Sequence, residues 1–506
     1  MRKAAVALVA MTSLGAAPAA HAGWDSARAT RNPLQPLAAA APGGVFTVWG
    51  TGPGARRLTF PGATTPLGFS TLSPGPWLAN RRGDVLLVDA IGDGALLVEA
   101  GGARVPMSME LAPNDFASGV SASLGEDGAA VVAWTRDREL PDDLETTAWV
   151  RVRPPGGQFG PLRELPSGEL IAGVDADIAP DGTAEVVQAI AHDGGPRESL
   201  VHWQVGRDSV VGPPVTIETS PGPLYDFDVL AGPPGAGRVI FGAGREPETT
   251  VLTRTGPAAW ATRQALGELG DATPYRLADG GVLLASTEDR EVRVWRAAAG
   301  AQFGSPQRIA RAPSGLIPDG VTVSSTAAGA VLLAWVESDV TCERNKCFDR
   351  VLAAAAGPGA PFGPAQLVSP LGTLTDRVVA ALADDGRRMV AWQGDPNDAF
   401  AAGTLAVAFG DATADRRLPA DRRRPRVRVL SSAVRGGKLR LRLRSDEPVG
   451  VRLFVSGMPS GRALVLPARR AKTLVWSLSR DQRREWRRSV RIVFSDAAGN
   501  SGGSGP

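Results

Sequence analysis

The chain contains 506 residues, among them 61 Gly and 41 Pro, and carries a formal net charge of +3. That length excludes a single ordinary hydrophobic core, and many Gly and Pro with few helix-forming stretches favour short strands joined by turns. The charge is unevenly divided, because residues 416–506 hold 23 Lys and Arg against 6 Asp and Glu, a net +17, whereas residues 1–415 carry −14. The split predicts an acidic body followed by a basic C-terminal domain.

Residues 1–22 have the pattern of a signal peptide. Arg2 and Lys3 precede an apolar run over residues 4–17, and Ala20-His21-Ala22 matches the small-residue pattern of a cleavage site. An uncleaved anchor is the alternative, although the run is shorter than the roughly 20 residues that a bilayer requires. We therefore expect a secreted, extracellular protein with no transmembrane segment after cleavage, and we interpret residues 23–42 as a leader.

A repeat occupies residues 43–415. An Asp/Gly or Ala/Gly turn is followed by a strand of small and β-branched residues that closes on Trp, as in residues 127–134, 328–335 and 385–392. Weaker copies contain Gly44, Gly83, Gly182, Gly237 and Gly281. A period of about 50 residues is typical of propellers. The sequence predicts an all-β fold with a β-propeller of about seven blades, with six and eight as alternatives, in which residues 44–49 close the ring.

Each unit of the repeat has a physical reason for its residues. Glycine supplies the positive φ of a tight turn, and a strand that is apolar on both sides is expected between neighbouring sheets. We expect Trp134, Trp335 and Trp392 to share a packing role in the core, with sugar-stacking platforms as the alternative. Four residues separate Cys342 from Cys347, and in an exported chain the two predict a structural disulfide, with a redox or metal role as the alternative.

Residues 416–426 form a basic linker, and residues 427–506 follow a different pattern. In residues 438–444, three Leu alternate with basic residues, which is typical of a β-sandwich with one solvated face per sheet. The outward positions would then hold Arg440, Arg442, Arg444 and Arg452. This basic face is a candidate binding site for acidic cell-wall polymers or other polyanions, and the alternative is a solvated face that resists aggregation.

Two short segments of the C-terminal part resemble turns of known modules, at residues 445–449 and 495–500. The segments Ser-Asp-Glu-Pro-Val and Ser-Asp-Ala-Ala-Gly-Asn look like the turns of bacterial immunoglobulin-like or fibronectin-III-like modules. In those modules a further strand follows the second turn, whereas here only a Gly/Ser-rich end follows, so it stays open whether the last strand is missing and leaves an exposed edge. The body resembles exported propeller-like repeat proteins through its Gly-to-Trp pattern alone.

Candidate metal-binding and catalytic residues are few. After cleavage only His192 and His202 remain, in no metal-ligand spacing, and we expect a loop residue and a strand residue. Asp175-Ala176-Asp177 and the segment 395–398 offer oxygens to Ca²⁺ without the spacing of a known loop, so structural turns are the better interpretation. A pair of catalytic carboxylates stays open, although the sialidase-type Asp box is absent.

These observations favour a secreted, non-catalytic binding or scaffold protein with no cofactor and no nucleic-acid partner. A secreted carbohydrate-active hydrolase or lyase with its site in the propeller funnel is one alternative, and a cell-surface adhesion protein is another. The residues that line the propeller funnel discriminate between the binding protein and the enzyme. Carboxylates that converge there with an aromatic residue would favour the enzyme.

Overall fold

The computed structural model describes most of the chain between residues 24 and 504, outside residues 340–348, 395–403 and 411–422 and several shorter loops. The expected signal peptide at residues 1–22 and both Cys342 and Cys347 lie outside the described residues, as does the segment 395–398. Within the described part, strands predominate, and a short 3-10 turn spans Pro42–Gly44. No helix in that part is long and apolar enough to cross a membrane.

The first half of the body forms four sheets, each of four antiparallel strands in chain order. The first sheet contains β2 (Gln35–Ala40), β3 (Thr47–Gly52), β4 (Gly54–Thr59) and β5 (Thr64–Pro66). The second contains β6 (Pro74–Ala79), β7 (Val85–Asp89), β8 (Gly94–Val98) and β9 (Arg104–Ser108). The third contains β10 (Asp115–Leu124), β11 (Ala130–Glu139), β12 (Leu144–Arg153) and β13 (Arg163–Leu165). The fourth contains β14 (Leu170–Ile178), β15 (Ala184–Ala191), β16 (Glu198–Val205) and β17 (Val215–Ser220).

The second half of the body continues the same arrangement. The fifth sheet contains β18 (Leu224–Leu230), β19 (Arg238–Ala243), β20 (Glu248–Gly256) and β21 (Ala259–Glu268). The sixth contains β22 (Ala272–Arg276), β23 (Val282–Ser286), β24 (Glu291–Ala297) and β25 (Gln307–Arg311). The seventh contains β26 (Leu316–Ser325), β27 (Val331–Asp339), β28 (Asp349–Ala356) and β29 (Gln366–Leu367). The eighth contains β30 (Val378–Leu382), β31 (Arg388–Gly394), β32 (Thr404–Gly410) and, from the other end of the chain, β1 (Arg28–Pro33).

The sheets follow one another around an axis. Each sheet contacts the next, the first strands lie toward the axis, and the eighth sheet contacts the first through β30 and β2. Antiparallel four-stranded sheets packed radially in this way are the β-propeller fold, which solves the problem that one such sheet cannot bury both of its faces. The sequence prediction of an all-β propeller is confirmed at this level.

The N-terminal segment differs from the expectation. Residues 23–42 were expected to be a leader, but they contain β1, which pairs with β32, and β2, the first strand of the first sheet. The segment 44–49 was expected to close the ring, but it leads into β3, an interior strand of the first sheet. The short, Ala- and Pro-rich strands of this segment carry no apolar alternation, and their stability comes from pairing with distant strands.

The repeated glycines occupy equivalent turns. Each turn connects the first and second strands of a sheet, and positive φ angles of 78° to 88° occur at Gly44, Gly83, Gly128, Gly182, Gly329 and Gly386. In the sixth sheet the positive φ belongs to Gly280 rather than to Gly281. The period inferred from the sequence therefore marks one structural position in successive sheets.

The strand after the turn is largely buried in these sheets. All five residues of β7 and of β23 are buried, as expected for a strand with a neighbouring sheet on each side. Trp134 and Trp335 are completely buried in β11 and β27, and Trp392 is 1% exposed in β31. The expected packing role of these three residues is confirmed.

The C-terminal module, residues 427–504, consists of two further sheets. The first C-terminal sheet contains β33 (Val427–Arg435), β34 (Lys438–Ser445) and β37 (Lys472–Ser477), in that order. The second C-terminal sheet contains β36 (Met458–Leu466), β35 (Val449–Val455), β38 (Val490–Ser495) and β39 (Ser501–Ser504), in that order. The two sheets share one apolar core. The last strand of this sheet is present, because the Gly/Ser-rich end pairs with β38 as β39.

Candidate functional site

The polar lining of the propeller axis comes from a pattern in the first strands. Gly119, Gly173 and Gly320 each precede Val and then polar or charged residues at alternate positions, in the segments Ser-Ala-Ser, Asp-Ala-Asp and Thr-Val-Ser. The pairing register shifts at this point in β10, β14 and β26, which is a β-bulge. A bulge re-aims the side chains that follow it. The alternate polar residues therefore face the neighbouring first strand and the axis.

Asp175 connects three sheets at one level of the axis. The Ser121 hydroxyl of the third sheet donates to Asp175 Oδ1 at 2.5 Å, and the Val229 amide of the fifth sheet donates to Asp175 Oδ2 at 2.6 Å. Ser121 Oγ also accepts from the Ala176 amide at 3.1 Å. One carboxylate thus satisfies a hydroxyl and a backbone amide on its two neighbours, which is the bonding that a polar group needs away from water.

Asp177, two residues further along β14, also connects neighbouring sheets. Its oxygens accept from Ser123 of the third sheet and from the Ala231 amide of the fifth sheet, the latter at 2.9 Å. The Arg276 guanidinium of the sixth sheet also pairs with Asp177 and donates to the carbonyl of Ile178 at 3.1 Å. Charge-assisted bonds of this kind are stronger than neutral ones. Asp177 therefore connects four consecutive sheets.

Related bonds continue around the ring. The Tyr275 hydroxyl donates to the Val321 carbonyl at 2.7 Å, and Ser324 Oγ accepts from the Leu382 amide at 3.0 Å. Arg387 donates to the Gly44 carbonyl at 3.1 Å and so joins the eighth sheet to the first. Between the first and second sheets the contact is apolar and includes Trp49. Much of the polar lining of the axis is therefore bonded to neighbouring sheets.

The environment raises the pKa of two of these groups, Asp175 and Tyr275. Burial in the narrow axis raises the pKa of Asp175 to about 6, against the lowering by the Ser121 hydroxyl and the Val229 amide, and the nearby Asp177 charge raises it further. Burial likewise raises the pKa of Tyr275, and the charge of Asp228 acts in the same direction. Burial therefore favours the protonated form of both the Asp175 carboxyl group and the Tyr275 phenol.

A small cavity opens at the end of the axis where the first and second strands turn. Its volume is about 160 Å³, below the roughly 300–1,000 Å³ of ordinary ligand pockets. Arg81 lies on its wall between Glu126 and Asp384, at N–O distances of 3.4 and 3.7 Å. These ion pairs join the second sheet to the third and the eighth.

The histidines lie apart from this axis. His202 is buried in β16, where its Nε2 lies 3.5 Å from Glu185 Oε2 and its ring meets Trp260 edge-on at 5.0 Å. His192 follows β15, and its Nε2 lies 2.8 Å from Ser199 Oγ. No group of three or more potential metal ligands occurs among the described residues. Asp175 and Asp177 lie in a strand, not in the turn that we expected.

The four predicted basic-face residues divide into two groups. Arg440, Arg442 and Arg444 are exposed and alternate with the buried Leu439, Leu441 and Leu443 in β34, as expected. The prediction that Arg452 is exposed is wrong, because its side chain is completely buried. It does point away from the module's core, with Val493 beside it, but that outer side of the second C-terminal sheet is covered.

Sequence reasoning missed two sets of residues. The polar residues of the first strands were interpreted as possible turns or ligands, although a comparison of the Gly-Val segments would have shown their common period. Arg428 and Arg435 were not assigned to the basic face, although the antiparallel register places them there. Register depends on the pairing of two strands, which alternation within one strand does not reveal.

No family model matches the chain, and no curated protein matches it. Among solved structures, a protein of unknown function from Dyadobacter fermentans is 14% identical, with a TM-score of 0.32, over 60% of this chain and 96% of that one. The β-propeller domain of the Trilobed protease from Pyrococcus furiosus is 8% identical, with a TM-score of 0.34, over 72% and 94%. Prolyl oligopeptidase B from Galerina marginata is 9% identical, with a TM-score of 0.41, over 75% and 56%. At these TM-scores the similarity carries no activity to this chain.

Proposed function

We propose that this chain is a non-catalytic binding or scaffold protein in which a closed propeller supports a C-terminal binding module. The observation that carries the proposal is the use of the axial carboxylates. Asp175 and Asp177 accept backbone amides from the fifth sheet and hydroxyls from the third. Groups held in this way act as connections between sheets, whereas a catalytic carboxylate must reach a reacting atom.

We propose that the eight sheets are the eight blades of one propeller, and that β1 closes the ring. Support comes from the strand order of the eighth sheet, in which β1 is the outer strand beside β32. Strands from the two ends of the body then share one sheet, and the two ends are held together by backbone hydrogen bonds. A ring closed in this way is a rigid support, because each sheet is packed on both faces.

We propose that the C-terminal module is an immunoglobulin-like or fibronectin-III-like sandwich. In the order of such folds, strands A, B and E form one sheet, and strands C′, C, F and G form the other. The orders β33-β34-β37 and β36-β35-β38-β39 correspond to that arrangement. The basic module would then be a compact domain carried by the acidic body.

We also propose that the protein is exported, with cleavage after Ala22, and that Cys342 and Cys347 form a disulfide. The amino-terminal sequence pattern supports the first part, and an oxidising compartment would support the second. Mass spectrometry of the secreted protein, with and without reduction, tests both. A mature mass beginning at Gly23 and a 2 Da increase on reduction are expected, as two hydrogens add to the reduced bond.

The test of a non-catalytic role compares stability with turnover. The full chain is incubated with neutral and acidic polysaccharides, and product is sought by size-exclusion chromatography, for the wild type and for Asp175→Asn. We expect no product from the wild type and a changed melting temperature in the variant. Product that disappears in Asp175→Asn, at an unchanged melting temperature, would contradict the proposal.

One observation favours a carbohydrate-active enzyme as the second candidate. The pKa of Asp175 is raised to about 6 by burial and by the nearby charge of Asp177, and a raised carboxyl pKa beside a second carboxylate is typical of glycosidases. In that case Asp175 would be the general acid, and turnover would follow a pH profile with a limb near pH 6. The incubation described above detects such turnover.

A further inference from the structure

The outward positions of the first C-terminal sheet form a cationic surface. Residues that pair across antiparallel strands point to the same face, so the register assigns Arg428 beside Arg444 and Arg435 beside Lys438. We call this surface the arginine face, and its basic members are Arg428, Arg435, Lys438, Arg440, Arg442 and Arg444. The other outward positions on it hold Ser431, Ala433, Thr473, Val475 and Ser477.

The outward positions of the arginine face hold charges of one sign. No Asp or Glu occupies an outward position of the sheet, and none of the ion pairs found in the described part includes a residue of this face. Like charges directly opposite each other destabilise a sheet, as Arg428 and Arg444 are here. The free protein therefore carries a repulsion that a bound polyanion would relieve.

The second C-terminal sheet shows that the arginine face is the free side of the module. On the outer side of that sheet, Arg452 is completely buried and Val493 is 4% exposed. Near the end of β38, the Ala497 carbonyl accepts from Arg350 of the seventh sheet at 3.1 Å. Arg350 is itself buried and pairs with the buried Glu337. One sheet of the module thus lies toward the body, and the other presents the arginine face to solvent.

The spacing of the charges fits an extended polymer. Successive outward residues of a strand lie about 7 Å apart, so the four basic residues of β34 span about 20 Å. Leu430 and Val475 are the large exposed apolar residues of the described part of this sheet, and its aromatic Trp476 is buried in the core. Proteins that bind single-stranded nucleic acid combine positive charge with stacking aromatic residues. An acidic polysaccharide needs only the charge.

From these observations we propose that the arginine face binds a linear acidic polysaccharide of a cell surface along β34. The proposal deepens the binding role proposed above and rests on it. The acidic body, with a charge of −14, repels the same polymer, so that the polymer is directed to the module. Contact is electrostatic and reversible, and salt weakens it as the Debye length falls from about 10 Å at 0.1 M to about 3 Å at 1 M.

The test uses the full chain and polygalacturonate, with fully methyl-esterified polygalacturonate as the neutral probe. Binding is measured by biolayer interferometry in 25 mM and 500 mM NaCl. The face variant is Arg440→Glu/Arg442→Glu/Arg444→Glu. The matched control is Arg104→Glu/Arg470→Glu/Arg480→Glu, which changes the net charge equally at exposed positions off the face.

We expect the wild type and the control to bind polygalacturonate at low salt, with affinity at least tenfold lower in the face variant and at high salt. Equal losses in the two variants, or no binding by the wild type at 25 mM NaCl, would overturn the proposal. Tighter binding of single-stranded poly-dT than of polygalacturonate would overturn the ligand class. Circular dichroism of both variants separates lost binding from lost folding, and Arg440→Gln/Arg442→Gln/Arg444→Gln repeats the test without charge reversal.

The same samples separate this proposal from the non-catalytic role. Shortened polygalacturonate after incubation would contradict the non-catalytic role and leave the arginine face as the binding surface. Equal loss of binding in the face variant and in the matched control would contradict the arginine face and leave the non-catalytic role intact.

Discussion

The axis of the body and the arginine face of the module carry the same sequence pattern with opposite outcomes. In β14 the charged residues Asp175 and Asp177 alternate with small residues, and in β34 Arg440, Arg442 and Arg444 alternate with Leu. The aspartates meet hydroxyls and amides of two neighbouring sheets, whereas the arginines meet solvent. A period of two therefore fixes which residues share a face, and the neighbouring element decides whether those residues hold the fold together or remain available to a partner.

The strongest test of this comparison removes a charge that is buried between the body and the module. Arg350→Met leaves Glu337, 1% exposed, without its cation, and we expect a loss of about 3–5 kcal/mol in the free energy of unfolding, measured with urea. Arg350→Met/Glu337→Gln should recover most of that loss, because both charges are gone. Arg308→Met, which removes an exposed partner of Glu291, is the control and should change stability by less than about 1 kcal/mol. A loss in Arg308→Met as large as in Arg350→Met would contradict the interpretation.

A second substitution removes the shared carboxylate of the axis. Asp177→Ala withdraws the acceptor of Ser123, of the Ala231 amide and of Arg276. We expect the free energy of unfolding to fall by about 2–3 kcal/mol, because partly buried donors lose their partner. Glu164→Ala, at an exposed position of β13, is the control and should have little effect. Equal melting temperatures in the wild type and in Asp177→Ala would show that the axial bonds do not hold the sheets.

A smaller effect on stability is expected from the titration of Asp175. Its pKa is about 6 in the folded protein, against about 3.9 in an unfolded chain. Between these values the folded protein holds a proton that the unfolded chain releases, so the contribution of Asp175 to stability falls as pH rises from about 4 to 6. The melting temperature of the wild type, relative to that of Asp175→Asn, should fall from pH 4 to pH 7. A relative melting temperature that rises over this range would contradict the assigned direction of the shift.

The smallest expected effect lies on the arginine face. Arg442→Gln removes one of several like charges that have no opposite charge beside them, and the module should gain a few tenths of a kcal/mol at low salt. The gain should disappear in 0.5 M NaCl, where such repulsion is screened. Differential scanning calorimetry at both salt concentrations measures it. A loss of stability in Arg442→Gln would mean that Arg442 has a partner in the folded protein and is less available for a ligand.

Much of the body could be predicted from the sequence because its strongest signal is local. A glycine turn followed by an apolar strand has the same physical cause in each sheet, namely positive φ and burial on two faces. The first strands escaped prediction because their polar residues are stabilised by other sheets, as Asp175 is by Val229. β1 and β2 escaped for the same reason. Their pairing partners are set by the ring, and no local pattern of alternation marks them.

The C-terminal module was predictable within each strand and not between its sheets. The alternation in β34 correctly places Arg440, Arg442 and Arg444 in solvent. The same rule applied to β35 correctly points Arg452 away from the core, but the sequence does not show that this outer side is covered. Burial depends on what lies next to a sheet, and that is a tertiary property.

The pairing of β1 with β32 has a consequence for how the chain folds. Arg28 lies opposite Val407, so β1 cannot pair with β32 until nearly the whole body has been synthesised. Contacts between residues so distant in sequence slow folding, since the loop between them must close first. The last sheet therefore completes only after synthesis has passed residue 410, because β32 ends there and β1 is the strand that covers its outer edge.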